Sequence, residues 1–467
     1  MKVLLVYPTK LDEAGKPIKY KKAFLPPLSL AILDALTPPQ HQVTVVNDLV
    51  EEIDYSEDYD VVGITAMTSQ VERAYQIADK FRSLGKKVVI GGIHATALPG
   101  EAKKHADVVV IGEVENLWEQ ILDDIENNRF KEFYQDSHFP DLQKLVIPCF
   151  DHFNMKIYPK PLGYRMPMMP IFTTRGCPFN CDFCSVTRYF GRTYRTKPIA
   201  HVLKEIDSVN ANYYFFVDDN IIGKPEYSRE LFKALIPKKI RWFSQASTTI
   251  LKHPDLIDLA AKAGCDTLFV GFESINEQNL RAVRKGFNNV NQYEELFAKL
   301  RRAGILPYPS IIFGFDDDIS EQFRLTLNFL LKNKVALASF FILTPMPGTK
   351  VFQRLESEKR ILHYRWSLYD GNHVVFEPKK LSVEELESNF WQTYRVFFSL
   401  GNVVKRLIYN ALASPHPFQE FMEDVFYQMF HRSVVCKHQH PMSGGVGQAN
   451  INVSRFTLAS GRAGNKR

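Results

Sequence analysis

Along the first 127 residues, short apolar runs alternate with stretches whose apolar residues recur three and four apart. The runs are Val3–Val6, Val43–Val46, Val61–Thr65, Val88–Ile90 and Val108–Ile111. Each has the length of a strand buried on both faces, and the intervening pattern, as at Val71–Leu84, is that of an amphipathic helix. This alternation predicts a doubly wound, Rossmann-like α/β domain over residues 1–127. Ligands of such sheets bind outside the carboxyl ends of the strands. Those ends fall at Thr65 to Ser69, Gly91-Gly92-Ile93-His94 and Gly112-Glu113, where small residues admit close backbone approach.

Residues 128–168 mix polarity and proline without a sustained period and read as a linker. A second alternating series spans 169–350, with strands at Pro170–Thr174, Tyr213–Val217, Arg241–Ala246, Thr267–Phe272, Tyr308–Phe313 and Ala338–Leu343. Helical patterns separate them at Ile199–Ser208, Ser228–Leu235, Pro254–Ala263, Tyr293–Ala303 and Glu321–Lys332. Six β/α repeats predict a parallel sheet curled into a partial TIM barrel, with chemistry at the carboxyl ends of its strands. From 351 to 436 the pattern is helical only. Ser382 and Glu385 form a capping box, and Phe390, Trp391, Tyr394, Phe397 and Phe398 make an aromatic stripe to pack on the barrel. Residues 437–467 read as a disordered tail.

Composition narrows the function classes. The 35 Phe and 20 Tyr suit a thick core or a deep apolar pocket. The net charge is +6, but Arg455, Arg462, Lys466 and Arg467 of the tail supply most of it, and removing them leaves about +2. The body therefore offers no basic face for nucleic acid. The apolar run at the N-terminus is too short for a signal-peptide core, and Val335–Leu343 is too short to span a bilayer, so a cytoplasmic protein without a transmembrane segment is expected.

Three of the six cysteines fall within eight positions, the pattern of a metal site rather than of a disulfide framework. The stretch Thr173-Thr174-Arg175-Gly176-Cys177-Pro178-Phe179-Asn180-Cys181-Asp182-Phe183-Cys184 follows a predicted strand. Three thiolates on a four-iron cluster leave one iron open to a ligand, whereas zinc wants four ligands, or three and water, usually in paired short spacings. No fourth cysteine lies nearby. A C-x-x-x-C-x-x-C spacing with Phe183 before its last cysteine, placed at the end of a first barrel strand, resembles the radical S-adenosylmethionine superfamily. The resemblance implies that Cys177, Cys181 and Cys184 hold a 4Fe-4S cluster. Its open iron would chelate S-adenosylmethionine, and an electron from a low-potential donor such as flavodoxin or ferredoxin would release a 5′-deoxyadenosyl radical. It further implies that Phe183 lies near the adenine and that Asp218 and Asp219, standing where the family usually has Gly-Gly-Glu, accept from the methionine ammonium. Glu273 and Ser274 match the ribose-binding position, and Ile312 and Gly314 the element that packs on adenine. For each acid, capping of the following helix is the competing role.

The run Gly91-Gly92-Ile93-His94-Ala95-Thr96, with Gly112-Glu113 and Glu115 downstream, is similar to the cobalamin-binding domain fused to one class of these enzymes. The resemblance covers residues 1 to about 385, ending in Thr344-Pro345-Met346-Pro347-Gly348-Thr349. It implies cobalamin contacts from Thr65, Ser69, Gly91, Gly92, His94, Gly112 and Glu113. The D-x-H-x-x-G element is missing, since the first-strand loop reads Tyr7-Pro8-Thr9-Lys10, so no histidine is expected below the cobalt. Together these features imply methylation of an unactivated carbon of a small-molecule or lipid substrate. Radical oxidation, ring closure or rearrangement without methyl transfer is the alternative, and a non-enzymatic cobalamin or redox sensor a more distant one. Methylthiolation of transfer RNA is disfavoured, because no cysteine precedes Cys149. The C-terminal helices resemble the cap of hopanoid methylases. Cys149 and Cys265 read as small buried residues, and His431, Cys436, His438 and His440 as surface groups of a polar tail.

Overall fold

The computed structural model describes residues 1–160, 164, 166–413, 417–442 and 444–448. The N-terminal sheet is built from β1 (Lys2–Tyr7), β2 (Gln42–Asn47), β3 (Val61–Thr65), β4 (Lys87–Gly91), β5 (Val108–Ile111) and β6 (Phe133–Gln135), in the order β2-β1-β3-β4-β5-β6. All pairings are parallel. Successive residues of a strand face opposite sides. Val3 and Leu5 accordingly pack beneath α1 (Leu28–Leu36) and α3 (Trp118–Glu126), and Leu4 and Val6 against α2 (Val71–Ser83) on the other face. The sixth strand lies inside the stretch read as a linker.

The second sheet contains β7 (Met169–Ile171), β8 (Tyr213–Phe216), β9 (Arg241–Ser247), β10 (Cys265–Glu273), β11 (Leu306–Phe313) and β12 (Ser339–Ile342). They pair in chain order, all parallel, and β7 does not close onto β12, so the barrel is partial. The capping box at Ser382 is formed and opens α4 (Val383–Phe397). The Tyr394 and Phe397 rings lie 4.7 and 5.6 Å from that of Phe340, covering the barrel's edge strand as the aromatic stripe predicts. Two further helices follow, α5 (Leu400–Ala413) and α6 (Pro417–Val435).

Three expectations are corrected. The region after 350 is not helical throughout: residues 358–382 are largely irregular, and Trp366, Leu368, Tyr369 and Val375 join the core of the N-terminal domain. The start of the tail is ordered, because Gly445–Gln448 pairs antiparallel with Tyr20–Ala23; residues 449–467 lie outside the described ones. His431 and His440 are not surface groups. Each is buried, with Nε2 of His440 2.8 Å from the Phe340 carbonyl and that of His431 3.0 Å from the Tyr308 hydroxyl. Cys265 is buried as read, and Cys149 is only partly so. Among the described residues, no helix is long and apolar enough to cross a membrane.

Candidate functional site

Two adjoining cavities, which share Leu28 and Val217, open between the sheets. The first, about 280 Å³, is a mostly apolar slot running from α1 and the face of β3 to the barrel. Gly63, Thr65, Gly91, Gly92, Gly112 and Trp118 line it on the N-terminal side, and Phe172, Arg175, Tyr189, Val217 and Asp219 on the barrel side. The second, about 500 Å³, lies over the ends of β1 and β2. Tyr7, Lys10, Asn47, Met67, Ser69 and Ile93 form one wall, and Pro170, Phe341, Met346 and Asp370 belong to the other.

The glycines are required by this geometry. Gly92 has φ +102°, and a Cβ there would sit 2.7 Å from the Ala66 carbonyl oxygen. A Cβ on Gly63 would meet Trp118 at 3.0 Å. The expected cobalamin contacts thus divide. Thr65, Gly91, Gly92 and Gly112 line the slot and Ser69 the larger cavity. Glu113 also reaches the slot, but its carboxylate is held by Arg175 and Arg195. His94 lines neither cavity. It is fully buried, its ring 5.0 Å from that of Trp366 and its Nε2 3.2 Å from Glu101.

The cluster loop begins directly after Thr174–Arg175, whose antiparallel pairing with Arg195–Thr196 closes it at its base. Among the described residues, the one set of three metal-ligand atoms within 4.8 Å of one another is Asp34, Cys149 and His152. The sulfurs of Cys177, Cys181 and Cys184 are not all within that distance of one another. Burial pushes all three thiols up to about 11, so thiolate formation awaits the metal.

The two aspartates have different tasks. Asp218 is fully buried and accepts from the Thr173 amide at 3.1 Å, the Thr173 hydroxyl at 2.8 Å and the Thr174 hydroxyl. These bonds brace the strand before the cysteines. Asp219 lines the slot and accepts from the Gly176 amide at 3.2 Å; burial, then the charge of Asp218, raises it to about 6. Glu273 has φ +62°, a strained conformation at a strand end, and pairs with the buried Lys285. Burial works against the Lys285 ammonium, but Glu273 and Cys181 outweigh it and raise its pKa. The Lys285 ammonium also lies 5.7 Å from the Phe183 ring, so Phe183 and Glu273 converge there, close to the cysteines. Ser274 accepts from the Asn276 amide, Gly314 donates to Asp318, and Ile312 is half-buried; none of the three lines either cavity. Lys285 and Arg195 were not anticipated and carry no local signal. Arg175 had one, its place two residues before Cys177.

Residues 171–330 match the Radical SAM superfamily and residues 23–122 the B12 binding domain. The bacteriochlorophyllide d C-12(1)-methyltransferase of Chlorobaculum tepidum is 33% identical over 82% of this chain and 84% of its own length. The bacteriochlorophyllide d C-8(2)-methyltransferase of the same organism is 32% identical over 82% and 88%. The solved structure of the cobalamin-dependent S-adenosylmethionine radical enzyme OxsB, with aqua-cobalamin and S-adenosylmethionine bound, shares the fold at a TM-score of 0.65 and 14% identity, covering 93% of this chain and 71% of that one. The chain belongs to the cobalamin-dependent radical S-adenosylmethionine methyltransferase family. Its cofactors are a 4Fe-4S cluster, S-adenosylmethionine and cobalamin.

Proposed function

We propose that this enzyme methylates an unactivated carbon on the periphery of a chlorin-type tetrapyrrole. The observation that carries the reading is the match, along more than four-fifths of the chain, to two methyltransferases named for bacteriochlorophyllide. The larger cavity suits such a substrate, offering Tyr7, Tyr20, Phe24, Phe341 and Tyr369 as flat apolar walls. Lys10, paired with Asp370 at 2.5 Å, is a cation on that wall within reach of a substrate carboxylate.

In this reading Cys177, Cys181 and Cys184 hold the cluster, Asp219 and Glu273 face S-adenosylmethionine beside Phe183, and the glycine-lined slot takes part of the cobalamin. The cofactors supply the radical and the methyl group. The chain's own residues place them around one enclosed space and keep water from it. A low-potential flavodoxin or ferredoxin supplies the electron, and the protein works in the cytoplasm. The test is an anaerobic incubation of the reconstituted enzyme with bacteriochlorophyllide d and, separately, with a hopanoid. Mass gain by one methyl group on the tetrapyrrole supports the reading. Methylation of the hopanoid alone overturns it.

A further inference from the structure

The loop that carries the three cysteines is tied at both ends to one residue of the N-terminal domain. Arg175 and Arg195 are cross-strand partners in the ribbon that closes this loop, and both reach Glu113. Arg175 forks to Glu115 as well, and its guanidinium lies 4.5 Å from the Phe172 ring. Within the loop, the Tyr189 hydroxyl donates to the Gly112 carbonyl at 2.9 Å. Glu113 and Glu115 are almost wholly buried here, at 3% and 6% side-chain exposure. Gly112, Glu113 and Arg175 at the same time line the slot. The turn that shapes the proposed cobalamin slot is thus the turn that grips the cluster loop.

A buried network of this kind contributes little net stability, because desolvation of the charges offsets most of their attraction. Two arginines against two glutamates leave it close to neutral, and the Arg195 fork on Glu113 with the Arg175 bridge from Glu113 to Glu115 fixes direction as well as distance. Its effect is geometric. We infer that Glu113 is a positioning residue: it pins both ends of the cluster loop to the Gly112 turn and thereby sets the separation of the cluster from the cobalamin. This rests on the reading that both cofactors act on one substrate. Methyl transfer needs that separation to match the substrate, whereas cleavage of S-adenosylmethionine at the cluster alone does not.

The test compares Glu113→Gln, Glu113→Asp and the wild type as holoenzymes, with Glu205→Gln as a control. Glu205 pairs with Lys197 in an equally buried ion pair within the barrel, so its loss costs stability without touching the Gly112 turn. Magnetic interaction between the reduced cluster and cob(II)alamin is read by electron paramagnetic relaxation, without substrate. 5′-Deoxyadenosine formed per methyl transferred is then counted with substrate. Glu113→Gln is expected to weaken and broaden the interaction and to raise the ratio at least tenfold. Glu113→Asp, which keeps the charge, should fall between it and the wild type, and Glu205→Gln should leave both readings unchanged. An interaction in Glu113→Gln equal to that of the wild type overturns the inference. If Glu113→Gln does not assemble a cluster, Arg195→Gln decides on the same readings, since it leaves Arg175 paired. Should the wild type transfer no methyl group, the functional reading fails while the magnetic measurement still tests the positioning.

Discussion

Replacing Gly92 by alanine tests whether the mouth of the slot is set by backbone geometry. Gly92 has φ +102° and ψ −174°, a region open essentially to glycine alone, and holding another residue there costs about 1–3 kcal/mol. The added Cβ would lie 2.7 Å from the Ala66 oxygen and 2.9 Å from its nitrogen. Both are backbone atoms of the β3 loop and have no rotamer to move, so overpacking adds about 1–3 kcal/mol more. The expected total is about 4 kcal/mol, with the Thr65–Ala66 loop displaced into the slot. Gly100→Ala is the matched control, because a Cβ there meets nothing within 4 Å and its φ is ordinary, so the change should stay within ~1 kcal/mol. The assay is anaerobic urea denaturation of both variants, paired with cobalamin uptake followed by absorption. Gly92→Ala should lose stability and bind cobalamin at least tenfold more weakly. A loss below about 1 kcal/mol with unchanged uptake would refute the steric reasoning.

Other consequences are as direct. Lys285→Met leaves Glu273 buried without its cation and should destabilise the apoprotein by about 3–5 kcal/mol, while Lys285→Met with Glu273→Gln regains at least half; equal loss in both, by denaturation midpoint, would count against the pair. Burial lowers His431 and His440 to about 4 from an ordinary 6.5, so the unfolded chain takes up protons first as the solution is acidified. Their contribution is complete above pH 6.5 and falls as pH drops towards 4, by on the order of 2 kcal/mol each at pH 5. His440→Gln should flatten that acid limb in a stability–pH series, and an unchanged slope would contradict it. Cys177→Ala, Cys181→Ala or Cys184→Ala should abolish cluster assembly and 5′-deoxyadenosine formation while leaving the N-terminal domain folded by circular dichroism; reductive cleavage surviving in any of them would sink the ligand assignment.

What was legible in the sequence follows from how far apart the determining residues lie. Val61–Thr65 and Val108–Ile111 have the bounds read from the chain because strands buried on both faces are uninterrupted apolar runs. The three cysteines share one loop, so spacing alone brings them together. Phe133–Gln135 escaped because only Tyr134 of its three residues is buried, which leaves no pattern to detect. The pairing of Tyr20–Ala23 with Gly445–Gln448, and of His440 with Phe340, joins segments that nothing local connects. Asp218 and Asp219 are neighbours at a strand end and face opposite ways, one towards Thr173 and one towards the slot, and composition cannot say which. Glu113 reads as a cofactor contact because it stands at a strand end in a run similar to the cobalamin-binding domain. The cations it serves, Arg175 and Arg195, lie in the other domain.

The most direct measurement of the central claim uses S-adenosylmethionine bearing a trideuterated methyl group. The enzyme is reconstituted anaerobically with iron, sulfide and cobalamin and given bacteriochlorophyllide d and a low-potential reductant. The account predicts a product carrying the intact labelled methyl group on carbon, formed only when cluster and cobalamin are both present, with 5′-deoxyadenosine released alongside. A fully loaded enzyme that cleaves S-adenosylmethionine and turns over this substrate without incorporating the label would contradict it.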